Sequence, residues 1–333
     1  MAVYGAGGDR TALSCHPTLI SEQGGTNPQM FFSGGYNGTA DMYLTDSTTQ
    51  QRINVQEAWI HFNYFGDPGG TGTIVTRVRN SSNVENVRLT WVEASNALNV
   101  QYRNASSVWV DLPNPLGGLG GYNDKGTYDI RVKIGGSGVG RIEWYCNSVF
   151  IGAAIGINTS HFGDINNVRW NTGGGITTAF SQILIASENT IGWNIVYKFF
   201  NANGDMQEWT GNYTDIDEQN GTTITDYISS DIVGEISLFQ GPAFGAIPTG
   251  TVIKAVSTSL FGRNDGTGVG PQEISGAIKQ GVNLYETPTI QALYAGNDAR
   301  QIIYDVDPAT SLPWTGIGAV NASQFGFVSK AGV

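Results

Sequence analysis

From Val55 to Glu188 the sequence is a succession of short runs in which apolar and polar residues alternate, each closed by Gly, Asn, Asp, Ser or Pro about every ten residues. The runs read VQEAWIHFNYF, GTIVTRVRN, NVRLTWVEA, ALNVQYRN, SVWVDLP, TYDIRVKI, RIEWYCN, SVFIGAA, NVRWNT and FSQILIASE. A period of two sends successive side chains to opposite faces of a strand, and hardly a window carries the longer period of an amphipathic helix. The pattern predicts an all-β antiparallel sandwich, best fitted by a jelly roll of two sheets.

The stretch YDIRVKIGGSGVGRIEWYCNSVFIG shows the reasoning at residue level. Tyr128, Ile130, Val132 and Ile134 are assigned to a buried face, and Asp129, Arg131 and Lys133 to a wet one. After a Gly-rich turn, Ile142, Trp144 and Cys146 take the apolar face while Arg141, Glu143, Tyr145 and Asn147 face solvent. Asn147-Ser148 then turns the chain into Val149-Phe150-Ile151. Such a stretch builds a sheet, so function belongs to what the sheet displays.

The rest of the chain divides around this region. Residues 1–14 read as an N-terminal arm without strand periodicity, 15–188 as the jelly-roll domain, and 189–333 as a second, smaller β-sandwich domain. In the last, EISLF, GTVIKAVSTSLF, NLYETPTIQALYA and RQIIYDV alternate with polar segments, and GAVNASQFGF has room for one helical turn. With 333 residues, each domain is long enough to bury its own core.

Composition narrows the function classes. Charged residues make up 14% of the chain, well below the usual globular share of about a quarter, and the net charge is −11. Lys and Arg are scattered along the sequence, so nucleic acid is not expected as a partner. No apolar run is long enough to span a bilayer and no signal peptide is recognisable, so a soluble chain without membrane insertion is expected. Cys146 lies on an apolar strand face and Cys15 in a loop beside His16, which does not imply a disulfide. Asn-x-Ser/Thr triplets occur at Asn37, Asn80, Asn104, Asn158, Asn212, Asn220 and Asn321, as chance alone would produce in a chain so rich in Asn and Thr.

Chemistry-bearing patterns are sparse. A glycosidase on this scaffold needs paired carboxylates flanking the scissile bond. The nearest acidic run, Asp215-Ile216-Asp217-Glu218, lies in the second domain and reads as a solvated loop. Asn201-Ala202-Asn203-Gly204-Asp205 offers alternate oxygen ligands but no bidentate glutamate, and reads as a turn. Asn264-Asp265-Gly266 reads as a hairpin turn, and GGLGGY (117–122) as a flexible loop with no Lys-Ser/Thr pair of a phosphate-binding loop. His16, His61 and His161 fit no zinc spacing, and no Gly-x-Ser-x-Gly elbow is present. No catalytic or metal-binding residue and no cofactor is assigned. Trp59, Trp91, Trp109, Trp144 and Trp170 fall on strands as core or cross-strand residues, leaving Tyr36, Tyr122 and Trp209 as candidate sugar-stacking platforms.

The order AWIHFNYF, Tyr-Asp-x-x-Val-Lys-Ile, Gly-rich turn, aromatic strand, Ile-Gly strand and FSQILIAS resembles concanavalin A-like or laminin G-like jelly rolls over residues 15–188. At the other end, Asp307-Pro308-Ala309-Thr310, Pro313-Trp314-Thr315 and Val320-Asn321-Ala322-Ser323-Gln324-Phe325-Gly326 are similar to the C-terminal signature of virion structural proteins of tailed bacteriophages and gene transfer agents. That resemblance implies a protein of the virion surface, a fibre, spike or tail component, and the lack of paired carboxylates makes it a non-enzymatic one. The resemblance further implies a host cell-surface glycan and other virion structural proteins as partners, and a homo-oligomer, with three-fold symmetry the expected form, held by its terminal segments. A glycan-active depolymerase and a free lectin-like module are the alternatives.

Overall fold

The structure, a computed structural model, describes residues 2–7, 31–32, 38–66, 71–92, 97–112, 126–172, 178–216, 226–264, 270–290 and 298–332. The chain forms two compact units, Met1–Leu44 with Arg52–Ile195, and Thr45–Gln51 with Val196–Val333.

The first unit holds β1 (Val3–Gly7), β2 (Phe31–Phe32), β3 (Gly38–Tyr43), β4 (Glu57–Gly66), β5 (Ile74–Asn80), β6 (Glu85–Val92), β7 (Ala97–Arg103), β8 (Trp109–Asp111), β9 (Gly126–Lys133), β10 (Gly140–Cys146), β11 (Val149–Ile157), β12 (Ile165–Thr172) and β13 (Thr178–Ala186). A seven-stranded sheet has the order β1-β13-β4-β9-β10-β11, with β2 also on β13, and a six-stranded sheet has the order β3-β12-β5-β6-β7-β8. All pairings within these two sheets are antiparallel. The fold is a concanavalin A-like jelly-roll sandwich, and each run singled out between Val55 and Glu188 contributes a strand.

Its core is the sum of the inward-facing positions of both sheets. Ala58, Ile60, Phe62 and Tyr64 from β4 meet Val75, Val78, Val87, Leu89 and Trp170 from the facing sheet in one buried cluster. Phe62 is the hinge of that contact, with ring centroids 5.6 Å from Tyr128, 5.9 Å from Phe180 and 6.4 Å from Trp170 of the opposite sheet. Each such pair contributes about 0.5–1.5 kcal/mol beyond burial of its area. The β10–β11 hairpin closes through Asn147 and Ser148 at φ 49° and 65°, the paired positive values that a two-residue turn matched to strand twist requires.

The second unit holds β14 (Ala202–Gln207), β15 (Ile236–Gln240), β16 (Val256–Gly262), β17 (Glu273–Gln280), β18 (Asn283–Ile290), β19 (Asp298–Tyr304), α1 (Ile317–Asn321) and β20 (Ser323–Lys330). A five-stranded sheet of order β14-β15-β20-β17-β18 packs with the two-stranded sheet β16-β19 around Ile274, Ile278, Ile302, Tyr304, Trp314, Val320 and Phe327. Thr45–Gln51 forms a tight turn of this unit. There the Gln50 amide both donates to Ile303 O at 2.9 Å and accepts from Ile303 N at 3.1 Å.

Three expectations need correction. Within the stretch read as an arm, Val3–Gly7 pairs with β13 as part of the jelly roll, so the chain's own sheet supplies the backbone partners. Asn201–Asp205 is not a turn: Ala202–Gln207 forms an edge strand on β15, with side chains alternately covered and exposed. The face of β9 and β10 assigned to water buries Asp129 and Glu143, at 1% and 5% exposure, because other polar side chains of the unit cover them. Separately, the terminal segment from Asp307 onward is an integral part of the second unit, since β20 lies between β15 and β17 and Trp314 donates its indole N–H to Tyr304 O at 2.9 Å.

Candidate functional site

The outer face of the seven-stranded sheet is built in cross-strand rows. Register places Glu57, Lys133 and Arg141 in one row, Trp59, Arg131 and Glu143 in the next, and His61, Asp129 and Tyr145 in the third. Because directly opposed side chains on one face interact, residues far apart in sequence form one polar lattice.

Its centre is Arg131. Nε donates to Glu57 Oε1 at 2.8 Å and Nη1 to Glu143 Oε2 at 3.1 Å, while Arg141 Nη2 holds the other Glu143 oxygen at 2.6 Å. Burial by itself lowers the pKa of the Arg131 guanidinium, but hydrogen bonds to Glu57 and Glu143 outweigh it and hold the group above its ordinary value. Lys133 reaches Glu57 at 3.4 Å at the exposed rim, a pair worth at most about 1 kcal/mol. Glu143 differs, because removing a partner from a buried carboxylate costs several kcal/mol.

Beside this lattice, Trp59 stacks on Tyr145 at 5.8 Å, and Tyr145 meets Phe150 edge to face at 5.4 Å. Trp59 is covered, whereas Phe150 is 54% exposed, so the aromatic surface that reaches solvent belongs to Phe150 and the partly buried Tyr145. The Tyr145 phenol is pushed up by burial and by the neighbouring Glu143.

The His61–Asp129 part of the third row is closed. His61 Nδ1 lies 2.8 Å from Asp129 Oδ1, and Thr190 Oγ1 donates to the same oxygen at 2.7 Å, with His61 and Asp129 both almost fully buried. Gln182 anchors the covering segment, donating to Ile195 O at 2.8 Å and accepting from Ile195 N. A His–Asp pair sealed in this way orders the sheet and the segment over it.

The sequence-derived candidates fall elsewhere. Trp209 is partly buried: its indole N–H donates to Glu235 O at 3.0 Å and its ring lies 6.4 Å from Phe327 against the core of the second unit. Asp215 closes a capping box with Asn212. Asn203 accepts from Tyr213 N at 2.8 Å, and Asp205 pairs with Lys279, whose hydrogen bond lowers its pKa ahead of the bond from Gln324. His161 lies 3.0 Å from Arg103 O. Trp109 stacks under Arg88, with 3.9 Å from the guanidinium carbon to the ring centroid. Cys146 is a buried free thiol. Tyr36, Tyr122, Cys15, His16, Asp217, Glu218, Asp265, Gly266 and GGLGGY lie outside the described residues. Among the described residues no group of three or more His, Cys, Asp or Glu is arranged to hold a metal ion, and no helix is long and apolar enough to cross a membrane.

Tyr145 and Phe150 carried no sequence signal as a site. Tyr145 was expected on a wet face and Phe150 at the start of a strand, and only pairing of β10 with β11 joins them.

No protein-family model and no curated protein matches the chain. Among solved structures, the globular domain of T. cruzi calreticulin aligns with 57% of this chain and 89% of its own at 6% identity, with a TM-score of 0.40. The binding domain of botulinum neurotoxin serotype C1 aligns with 96% of this chain and 93% of its own at 11% identity and a TM-score of 0.40. A carbohydrate esterase of the Shiga toxin-encoding bacteriophage phi24B covers 53% of this chain and 88% of its own at 13% identity and a TM-score of 0.36.

Proposed function

We propose that the chain is a non-enzymatic structural protein of a virion surface, a fibre, spike or tail component, whose jelly roll holds a host-surface glycan. The observation that carries the binding half is the pairing of exposed Phe150 with Tyr145 beside the fixed Arg131–Glu57–Glu143–Arg141 lattice. A sugar ring has an apolar face that stacks on an aromatic ring and hydroxyls that bond to planar charged groups. Side chains held in ion pairs need little ordering when the ligand arrives. The carboxylates of this lattice are committed to guanidinium partners, an arrangement for holding a ligand rather than for moving protons. The virion half rests on the resemblance in motif order of Asp307–Thr310, Pro313–Thr315 and Val320–Gly326 to virion structural proteins. Assembly with other virion proteins and with further copies of this chain belongs to the same proposal.

Glycan-array screening of the full chain, followed by calorimetry on the best ligand, tests the binding. Phe150→Ala and Tyr145→Ala are expected to weaken affinity roughly tenfold each, with no reducing ends released from the glycan. Unchanged affinity in both variants removes the site, released reducing ends remove the non-enzymatic role, and absence of the chain from purified particles removes the virion role.

A further inference from the structure

The arginines that look scattered in sequence converge on the outer face of the six-stranded sheet. Register aligns Asp41, Arg169, Arg77, Arg88, Gln101 and Asp111 in one row crossing β3, β12, β5, β6, β7 and β8. Three guanidinium groups are thus neighbours on adjacent strands, and Arg79 is drawn to the same place, 3.8 Å from Asp41. Like charges directly opposed across strands are destabilising, so such a row is unusual on an acidic protein unless something draws on it.

Each arginine is held in place. Arg169 grips Asp41 through two nitrogens, Nε at 2.7 Å from Oδ1 and Nη2 on Oδ2. Arg77 Nε lies 2.6 Å from Glu85 Oε1. Arg88 donates from Nε to Gln101 Oε1 at 2.8 Å and lies over Trp109, while Gln101 and Asn99 both donate to Asp111. Arg77, at the centre of the row, has charges of both signs around it. Burial lowers the pKa of Arg77, Glu85 raises it, and Arg169, Arg79 and Arg88 each lower it further. An anion bridging these groups removes that repulsion.

We propose that this arginine row binds a carboxylate-bearing polysaccharide, a uronate chain lying across the strands. Adjacent strands are about 4.8 Å apart, so the three arginines present forks at intervals on the scale of one sugar ring. A guanidinium matches a carboxylate with two parallel hydrogen bonds. The flanking Asp41, Glu85 and Asp111 accept hydrogen bonds from sugar hydroxyls but repel the continuous phosphates of DNA, whose sugar-phosphate backbone has no hydroxyl donors. Trp109 adds a planar surface at one end of the row. This site lies on the opposite face of the sandwich from Tyr145 and Phe150 and does not depend on them.

Calorimetric titration of the full chain with a short polygalacturonate oligomer tests the proposal, with the methyl-esterified oligomer and single-stranded DNA as comparison ligands. Wild type is expected to bind the acid and not the ester, with affinity falling as salt rises. Arg77→Gln and Arg88→Gln are each expected to weaken binding roughly tenfold or more. Arg88→Lys keeps the charge and loses the fork, and a comparable loss in this variant, at an unchanged melting temperature, separates recognition from folding. No binding of the acid, equal binding of the ester, equal or tighter binding of DNA, or full affinity in the folded Arg77→Gln/Arg88→Gln double variant overturns it.

Discussion

Asn104 shows what a single side chain does in this fold. Its Oδ1 accepts from Ser106 N and Val108 N, both at 3.0 Å, while Ser107 adopts φ 63°. Asn80 repeats the device, accepting from Ser82 N and Val84 N with Asn83 at φ 60°. Asn158 and Asn212 also accept from the backbone N–H two residues on. The Asn-x-Ser/Thr triplets expected from chance are thus, at these positions, turn builders in which asparagine replaces a backbone acceptor. Asn104→Ala is expected to destabilise the protein by about 1–2 kcal/mol in denaturant titration, and Asn104→Asp, which keeps the acceptor, by much less. Buried ionisable groups give a second expectation. Burial raises the pKa of Cys146, and of Tyr128 and Tyr304 among the phenols. Unfolded Cys and Tyr ionise near pH 8.5 and about 10. The contribution of these groups to stability is therefore complete below those values and lost as pH climbs through them toward the raised folded values. The melting temperature should fall above about pH 9, less steeply in Cys146→Ala measured against its own neutral-pH value.

Among elements, legibility tracked alternation. The strands of the jelly roll announced themselves because one side of each sheet faces the shared core, as Tyr128, Ile130 and Val132 do on β9. β17 escaped notice because EISGAIKQ is buried on both faces from Glu273 to Ile278, so its pattern does not alternate, and it has Gly276 in the middle. That glycine is needed, since a Cβ there would press on Ile302 and the Tyr304 hydroxyl of the facing strand. β14 was hidden by its Asn, Gly and Asp residues, poor strand formers that an edge position tolerates. Among the described glycines of the second unit Gly326 carries the tightest approach, for a Cβ there would overlap the Ser237 carbonyl of β15. Gly326→Ala is expected to cost about 1–3 kcal/mol or more, by forcing two paired strands apart, while Gly318→Ala, with open space around its Cβ, is expected to cost little. Thermal melting of the two variants side by side checks this.

At the scale of the whole molecule, neither candidate surface was legible, because both are products of strand register. Nothing in the sequence relates Arg77 to Arg169, or Tyr145 to Phe150 across a hairpin with a bulge, until the pairings exist. The two-unit division makes its own prediction. Ending the chain before residue 307 removes β20, leaving β15 and β17 without the strand between them. Such a truncation is expected to unfold the second unit and leave the dispersed NMR signals of the jelly roll in place. The turn at Thr45–Gln51 has a further consequence for how this protein is made. A ribosome emits those seven residues long before the strands they join, so the second unit cannot finish on its own stretch of gene. A gene cut at residue 195 would yield a second half lacking Gln50, and with it both hydrogen bonds to the Ile303 backbone. A synthetic peptide of residues 45–51 is then the missing piece to return to that half.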